Sequence, residues 1–494
     1  MNGTIGKRNR WRGVWGGCLL ALYSATTVHA NQQETTGIGG RAISLGGAVA
    51  ASVDDPSAVY YNPAGLVHLS EPTLFLDLTS FSLVGDSNNQ RTGESFDFSL
   101  DPFILRPTPI LGGPLPWRGW HWAVGVLGVS GLAGRFPDDF GDNRYASWSS
   151  KLLQTTLTPA VAYQATPNLA VGITAEWSMF TKLANRARVG DGFIGDLLSA
   201  QTGMAIDTRD GIDDGAVRIE NDHNFPGLRP HNTLAADFRS ASYIVGLTYR
   251  LDQYTPFVKQ VGLVYREEAE PTMRGHTTFR VNEDITAQTG LATQRVEFES
   301  DVIARPRMVN LGVMLEPLPR WYVHAEVQWS NWNALRAFDF RFGGNGLFGQ
   351  KQLTVPANWH DTWSARVGIE RVFPSGKRLW LGYWLDKDPI PDRTYFSAFV
   401  TGDGHYFSLG FLLPQVFGKN FDLATYAQIG FFDSRLLSVG ESINQGGLKN
   451  LTVNPRGQLR FGPNDEPIKY HNAVAYIVGV TLTYRFGGLF GGEY

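Results

Sequence analysis

His324 and Glu326 stand two residues apart in the segment from Trp321 to Trp329. In an extended chain that spacing puts both on one face, where an imidazole and a carboxylate could share a proton. Arg366 and Glu370 stand on one face of Trp363–Glu370 in the same way, and Arg378 and Arg485 hold matching positions in later segments. A guanidinium so placed could take a ligand carboxylate through a charge-assisted hydrogen bond. The plainer reading is that each cation pairs with Glu370, Asp386 or another acid, and that His324 and Glu326 simply line a polar face. Asp207, Asp210, Asp213 and Asp214 form an acidic cluster whose spacing does not fit an EF-hand, so a solvated loop is favoured over calcium. Gly37-x-Gly39-x-x-Ala42 has the outline of a dinucleotide fingerprint, but no βαβ unit surrounds it. There is no Gly-x-Ser-x-Gly and no P-loop. No catalytic residue, metal site or cofactor is therefore assigned, and the chain is not read as an enzyme.

The elements that carry these residues are strands. From Ala473 to Phe486, Val474, Tyr476, Val478, Val480, Leu482, Tyr484 and Phe486 alternate with Ala475, Ile477, Gly479, Thr481, Thr483 and Arg485. Period-two alternation of this length is a β-strand with one apolar face and one mixed face. The same pattern runs through Leu169–Trp177, Trp321–Trp329, Trp363–Glu370 and Arg378–Asp386. Either a soluble sandwich or a membrane barrel gives such alternation. Three features favour the barrel. Trp, Tyr or Phe often ends the apolar face, as an interfacial girdle requires. Charges sit mid-strand on the other face. Connections also alternate between short (166–168, 317–319, 374–376) and long (183–238, 271–300, 338–358, 437–471). Fourteen strands are counted, an even number that returns both termini to one side.

The first thirty residues hold Lys7, Arg8, Arg10 and Arg12, an apolar run from Val14 to Ala25, and Val28-His29-Ala30. This is the pattern of a secretory signal peptide cut after Ala30. The one cysteine, Cys18, lies within it, so disulfides play no part in the exported chain. Loss of four cations leaves 39 bases against 46 acids, a net charge of −7, which argues against nucleic acid. Beyond residue 30 no run of about 18 apolar residues occurs, so any membrane crossing is made by strands.

Between the signal and the first strand lies Asp54-Asp55-Pro56-Ser57-Ala58-Val59-Tyr60-Tyr61-Asn62-Pro63-Ala64-Gly65-Leu66. An Asp cap followed by Pro starts a short helix. Pro63 bars Asn62 from the α region and stops it. The piece is too small to bury a core of its own and requires a container.

These residues resemble the FadL/TodX family of outer-membrane channels for long-chain fatty acids and other hydrophobic compounds. The hatch stretch carries the resemblance with its Asn62-Pro63-Ala64. It continues in Gly128–Pro137, Val261–Arg266, Ala325–Trp332, and Trp359 through Pro391. It implies an all-β fold: a 14-stranded antiparallel transmembrane β-barrel (71–494) closed by an N-terminal hatch (31–70) behind the signal peptide (1–30). It also implies a passive, monomeric channel of a Gram-negative outer membrane. The ligand would be a fatty acid or hydrocarbon, and outer-membrane lipid the surroundings. Tyr61, Asn62, Pro63 and Ala64 would form the gate, and Gly128, Ser130 and Gly131 the kink of the third strand through which ligand leaves sideways. Leu132, Phe136, Phe140 and Trp148, with Ile194, Leu197 and Leu198, would form an outer-loop groove. Glu326, Arg366 and Arg378 would face the lumen. A general diffusion porin or an adhesin is the alternative. The tail after Phe486 departs from the family pattern, in which the chain ends at the strand's terminal aromatic.

Overall fold

The computed structural model describes residues 37–93, 95–100, 104–135, 149–188, 217–226, 241–269, 272–281, 293–301, 305–345, 350–395, 402–444, 447–453 and 459–487. The predicted signal peptide, the acidic cluster at 207–214 and the tail beyond 487 lie outside them.

Fourteen antiparallel strands close into a barrel. In chain order they are β1 (Thr73–Asn89), β2 (Ile104–Pro114), β3 (Trp120–Arg135), β4 (Ser149–Gln164), β5 (Leu169–Arg188), β6 (Ala241–Arg250) and β7 (Val258–Arg266). They continue with β8 (Met308–Leu318), β9 (Trp321–Ser330), β10 (Thr362–Val372), β11 (Arg378–Asp386), β12 (Gly404–Leu413), β13 (Phe421–Phe432) and β14 (Ile468–Arg485). Each pairs with the next, and β14 returns to β1, with Thr73 opposite Arg485 and Val84 opposite Val474. Closure removes the free edges that a membrane does not tolerate.

Burial is inverted relative to a soluble protein. Outward apolar residues are bare, with Leu311 60% and Trp363 62% exposed, while Glu326 (4%) and Glu370 (2%) are buried inside. That pattern decides between the two readings of the alternation: the apolar faces do not pack on each other. Trp117, Tyr254, Phe257 and Phe417 ring the end that carries the short turns, as an aromatic belt does at a membrane surface.

At the opposite end the long connections are less loop-like than expected. β5 runs on to Arg188, and its extension pairs with a strand at Val217–Pro226. Further pairs such as Thr272–Val281 with Gln294–Asp301 lengthen the wall in the same manner. Pairing satisfies backbone groups that a long irregular loop would leave to water. A second apolar core forms here around Trp332, Trp359, Tyr395 and Tyr470.

Within the barrel sits the hatch. Helix α1 spans Gly40–Ser44 and helix α2 Ala58–Tyr61, followed by a 3₁₀ helix at Pro63–His68. Asp55 Oδ1 accepts from Ser57 N at 2.8 Å in a turn ahead of the helix; α2 itself begins at Ala58 with Ser57 at its N-cap and no side-chain cap, so the expected Asp cap with proline at the first helical position is not met. Asn62 is extended (φ −157°, ψ 101°), as the following proline demands, and α2 ends there.

Candidate functional site

The hatch is tied to one side of the wall by buried charge. Arg41 of α1 donates to Glu370 of β10 (Nη2–Oε2 2.8 Å) and to the Ser52 carbonyl at 2.7 Å. Arg378 of β11 reaches Glu370 at 3.1 Å and Asp54 of the hatch at 3.2 Å. Trp380 Nε1 also donates to Glu370, at 3.1 Å. Burial alone would raise the Asp54 carboxyl, but Arg41 and Arg378 hold it below the usual carboxylate range. Burial likewise opposes the charge on Arg41, yet Asp54 and Glu370 prevail and raise it above its ordinary value. One level away, Glu326 Oε2 accepts from Ala50 N at 2.8 Å, and Arg366 Nη1 donates to Glu326 Oε1 at 2.8 Å. Arg366 and Arg378 are thus committed to acids on neighbouring strands, the plainer of the two readings. Arg485 does the same with Asp422 at 2.6 Å.

His324 and Glu326 share a face but not a partner. His324 Nδ1 meets Ser52 Oγ at 2.8 Å, and its Nε2 lies 3.3 Å from Glu370 Oε2. Hydroxyl, imidazole and carboxylate follow one another as in a hydrolytic relay. All three are buried, however, and Glu370 is already neutralised by two guanidinium groups. The chain of contacts fastens the hatch to β9 and β10.

Asn62, in the predicted gate, is fully buried and uses its whole amide. Nδ2 donates to the Ala50 carbonyl at 2.6 Å and to the Leu247 carbonyl of β6 at 3.2 Å, while Oδ1 accepts from Ala64 N at 3.1 Å. The wall makes room for it. A Cβ on Gly246 would lie 1.9 Å from Asn62 Oδ1, and one on Gly172 would lie 2.5 Å from the Pro63 carbonyl carbon. Gly262 and Gly382 would strike Ala50 and Gly46 at 2.1 and 2.2 Å. Gly172 stands opposite Gly246, Gly262 opposite Gly312, and Gly368 opposite Gly382. Paired glycines on lumenal positions clear a path for the hatch backbone. The signal was in the sequence as glycine recurring on the polar face of otherwise strong strands. Its meaning depends on the course of a segment far away in the chain.

At the long-loop side of the hatch lies a pocket. Tyr60, Tyr61, Met308 and Trp384 give it apolar and aromatic surface, and Arg266 and Arg366 give it cations. Arg266 stacks 4.4 Å above the Tyr60 ring and also donates to the Tyr60 carbonyl. Arg366 lies 5.0 Å from the Trp384 ring centre. Tyr61 OH accepts from Ile38 N at 2.7 Å and returns a bond to the Ile38 carbonyl at 3.2 Å. Burial, reinforced by Tyr60, raises the Tyr61 phenol, so it keeps the proton that bond requires. Of the pocket only Tyr61 and the lumenal polar residues Glu326 and Arg366 were predicted; the rest required the hatch to be in place.

Opposite the ion pairs, the wall is incomplete. β2 and β3 pair only from Ile110–Gly125 to Pro114–His121. Among the described residues β3 then has no partner on its β2 side until Gly134, which meets Leu100. Its β4 side stays paired, with a bulge between Gly128 and Ser130. Val126 is exposed and Leu127 buried, so alternation points Gly128 outward. Yet a Cβ on Gly128 would lie 2.6 Å from Cγ and 2.7 Å from Cδ of Arg106. Arg106 stands opposite the buried Thr79 and faces the lumen. The outer side of β3 can meet an inner side chain of β2 only if β3 steps inward. The bulge supplies the bend. Pro107 and Pro109 remove two N–H groups from β2 beside the opening, a sequence signal that the strand count passed over.

The bulge lies between Gly128 and Ser130, in the segment expected to kink. Leu132 continues β3 opposite Leu152. Phe136, Phe140, Trp148, Ile194, Leu197 and Leu198, the predicted outer groove, lie outside the described residues.

The chain matches the family described as outer membrane protein transport protein (OMPP1/FadL/TodX) over residues 18–424. Among curated proteins none matches. Its fold is similar to that of a FadL homologue of Pseudomonas aeruginosa, with a TM-score of 0.66 and 14% identity over 94% of this chain and 100% of that one. The Pseudomonas putida toluene transporter TodX (TM-score 0.60, 16% identity) is similar over 91% of this chain and 99% of its own. The Ralstonia pickettii toluene transporter TbuX (0.60, 14%) is similar over 91% and 98%. At these identities the solved structures speak for the fold; the family match, which spans most of the sequence, establishes descent. The chain belongs to the FadL/TodX family of outer-membrane transport proteins.

Proposed function

We propose that this protein is a passive channel that brings hydrophobic molecules across the outer membrane and releases them sideways into it. The long-loop end faces outward. Ligand enters the pocket above the hatch and leaves between β2 and β3. The observation that carries this reading is the pairing of a stoppered lumen with a wall that is open at one place. The hatch body is seated among ion pairs and glycine-cleared backbone, so a straight path through the barrel is blocked. The unpaired stretch of β3 is the alternative exit, and it lies beside the start of the hatch.

The driving force suits that route. Each methylene transferred from water gains about 0.8 kcal/mol, so an alkyl chain is favoured against the aromatic side of the pocket and again in the bilayer. An aqueous pore would offer no such gain. The relatives point the same way, since TodX and TbuX are toluene transporters and a further structural relative, CymD, is a monoaromatic hydrocarbon channel. The division into signal peptide (1–30), hatch (31–70) and barrel (71–494) belongs to this reading, as does action as a monomer.

Planar bilayers separate it from a diffusion porin. The channel reading expects little steady ion current together with uptake of a labelled alkane or fatty acid by intact cells. A large, permanent conductance with no such uptake would contradict it.

A further inference from the structure

We infer that Arg106 is a latch between the pocket and the wall gap, and that it favours ligands with an anionic head group, a carboxylate on an alkyl chain. The inference rests on the sideways exit proposed above and names the residue that selects at it.

Four observations lead there. Arg106 lies on β2 where that strand has lost its β3 partner, and its stem crosses the bare backbone of Gly128. Its Nη2 donates to the Gly37 carbonyl at 2.6 Å. Gly37 also lines the pocket, so one hydrogen bond joins the two compartments. Finally, the guanidinium is poorly satisfied: Nε is enclosed without an acceptor, and among the described residues no carboxylate is within ion-pair distance. The acid on the neighbouring strand, Asp77, is saturated by the hydroxyls of Thr79 (2.6 Å), Thr481 (2.7 Å) and Tyr426 (2.9 Å).

A guanidinium held by a single neutral carbonyl exchanges it readily for a carboxylate, because charge-assisted hydrogen bonds are roughly twice as strong as neutral ones. A head group arriving beside Gly37 takes Arg106 from the carbonyl. Freed of Arg106, Gly37 and Ile38 part from the Tyr61 hydroxyl, while Gly40, whose N–H donates to Thr481 Oγ1 at 2.8 Å, retains the rest of the hatch, and the side chain no longer bridges the gap. A neutral ligand offers nothing for this exchange.

The test compares uptake of labelled dodecanoate and dodecanol by intact Gram-negative cells that lack a channel of their own, with barrel levels matched by the folded band on unheated gels. Arg106→Gln is expected to lower dodecanoate uptake roughly tenfold while dodecanol stays within about twofold, and Arg106→Lys to keep the wild-type preference. Equal loss of both ligands, or of neither, overturns the latch. Should the variants fail to assemble, hydrogen exchange on the wild-type protein decides. Dodecanoate is expected to expose the Ile38 amide and dodecanol to leave it protected; the same response to both overturns the proposal. The exit reading fails separately, if bridging β2 to β3 leaves dodecanol uptake intact. Loss of dodecanol uptake on bridging, with an unchanged preference in Arg106→Gln, removes the latch alone.

Discussion

The two sides of the hatch are held very differently. Toward β9, β10 and β11 it meets Glu370, Arg378, His324 and Glu326, and glycines on β5, β6, β7 and β11 let its backbone lie against the wall. Toward β2 and β3 it meets apolar side chains such as Ile110 and Leu127 and, among the described residues, one polar bond, from Arg106. The first side is a weld and the second a seam. On the proposed sideways route a stopper built in this way stays in the barrel as ligand passes and yields at its beginning, at Gly37 and Ile38, beside the unpaired stretch of β3.

The comparison breaks most easily on the welded side. Glu370→Ala leaves Asp54 as the carboxylate still shared by Arg41 and Arg378, and removal of the more buried acid costs up to about 3–5 kcal/mol. The hatch is expected to become protease-sensitive and the channel to conduct ions, while Arg106→Gln leaves the hatch protected. Equal protease sensitivity in the two variants would erase the distinction. Gly246→Val is the next largest, since its side chain occupies the site of the Asn62 amide; overpacking of this kind costs about 1–3 kcal/mol and raises conductance without preventing barrel closure. Asn62→Ala forfeits the bonds to Ala50 and Leu247 and is expected to cost at most about 1–3 kcal/mol, read as slower uptake by a normally assembled barrel. Wild-type uptake in Asn62→Ala would take the motif out of the mechanism.

The smallest effect is that of acid. The Asp54 carboxyl is held below its ordinary value, so its contribution is present above the unfolded pKa and is lost as pH falls through the folded one. Hatch protection measured by hydrogen exchange should be level from pH 8 to 5 and weaken only below about pH 4. Loss of protection near neutrality would point away from Asp54.

Much of this was legible in the residues. Alternation located all fourteen strands, because a wall with lipid on one face and charge on the other writes its period into every segment. Pro63 announced the end of α2 and the extended Asn62 through a purely local clash. What could not be read is non-local. Arg41 and Glu370 are 329 residues apart, and nothing near either indicates the other. The glycines of β5, β6 and β7 look like weak points until the hatch lies against them. Arg106 drew no notice because the charges that stood out, Arg366 and Arg378, were the ones with acids two strands' width away or less. Those proved to be paired, and Arg106, which has no acid partner among the described residues, was missed.

The central claim is that ligand leaves through the seam. Thr108→Cys with Leu127→Cys places thiols on the first lumenal position of each strand beyond the last β2–β3 pair, in a chain whose only cysteine is Cys18. Uptake of dodecanol by cells carrying the oxidised pair should fall at least about tenfold and return on reduction, if the exit is sideways and transfer from the pocket to the bilayer is what drives uptake. Unchanged uptake by the fully oxidised protein would contradict the account.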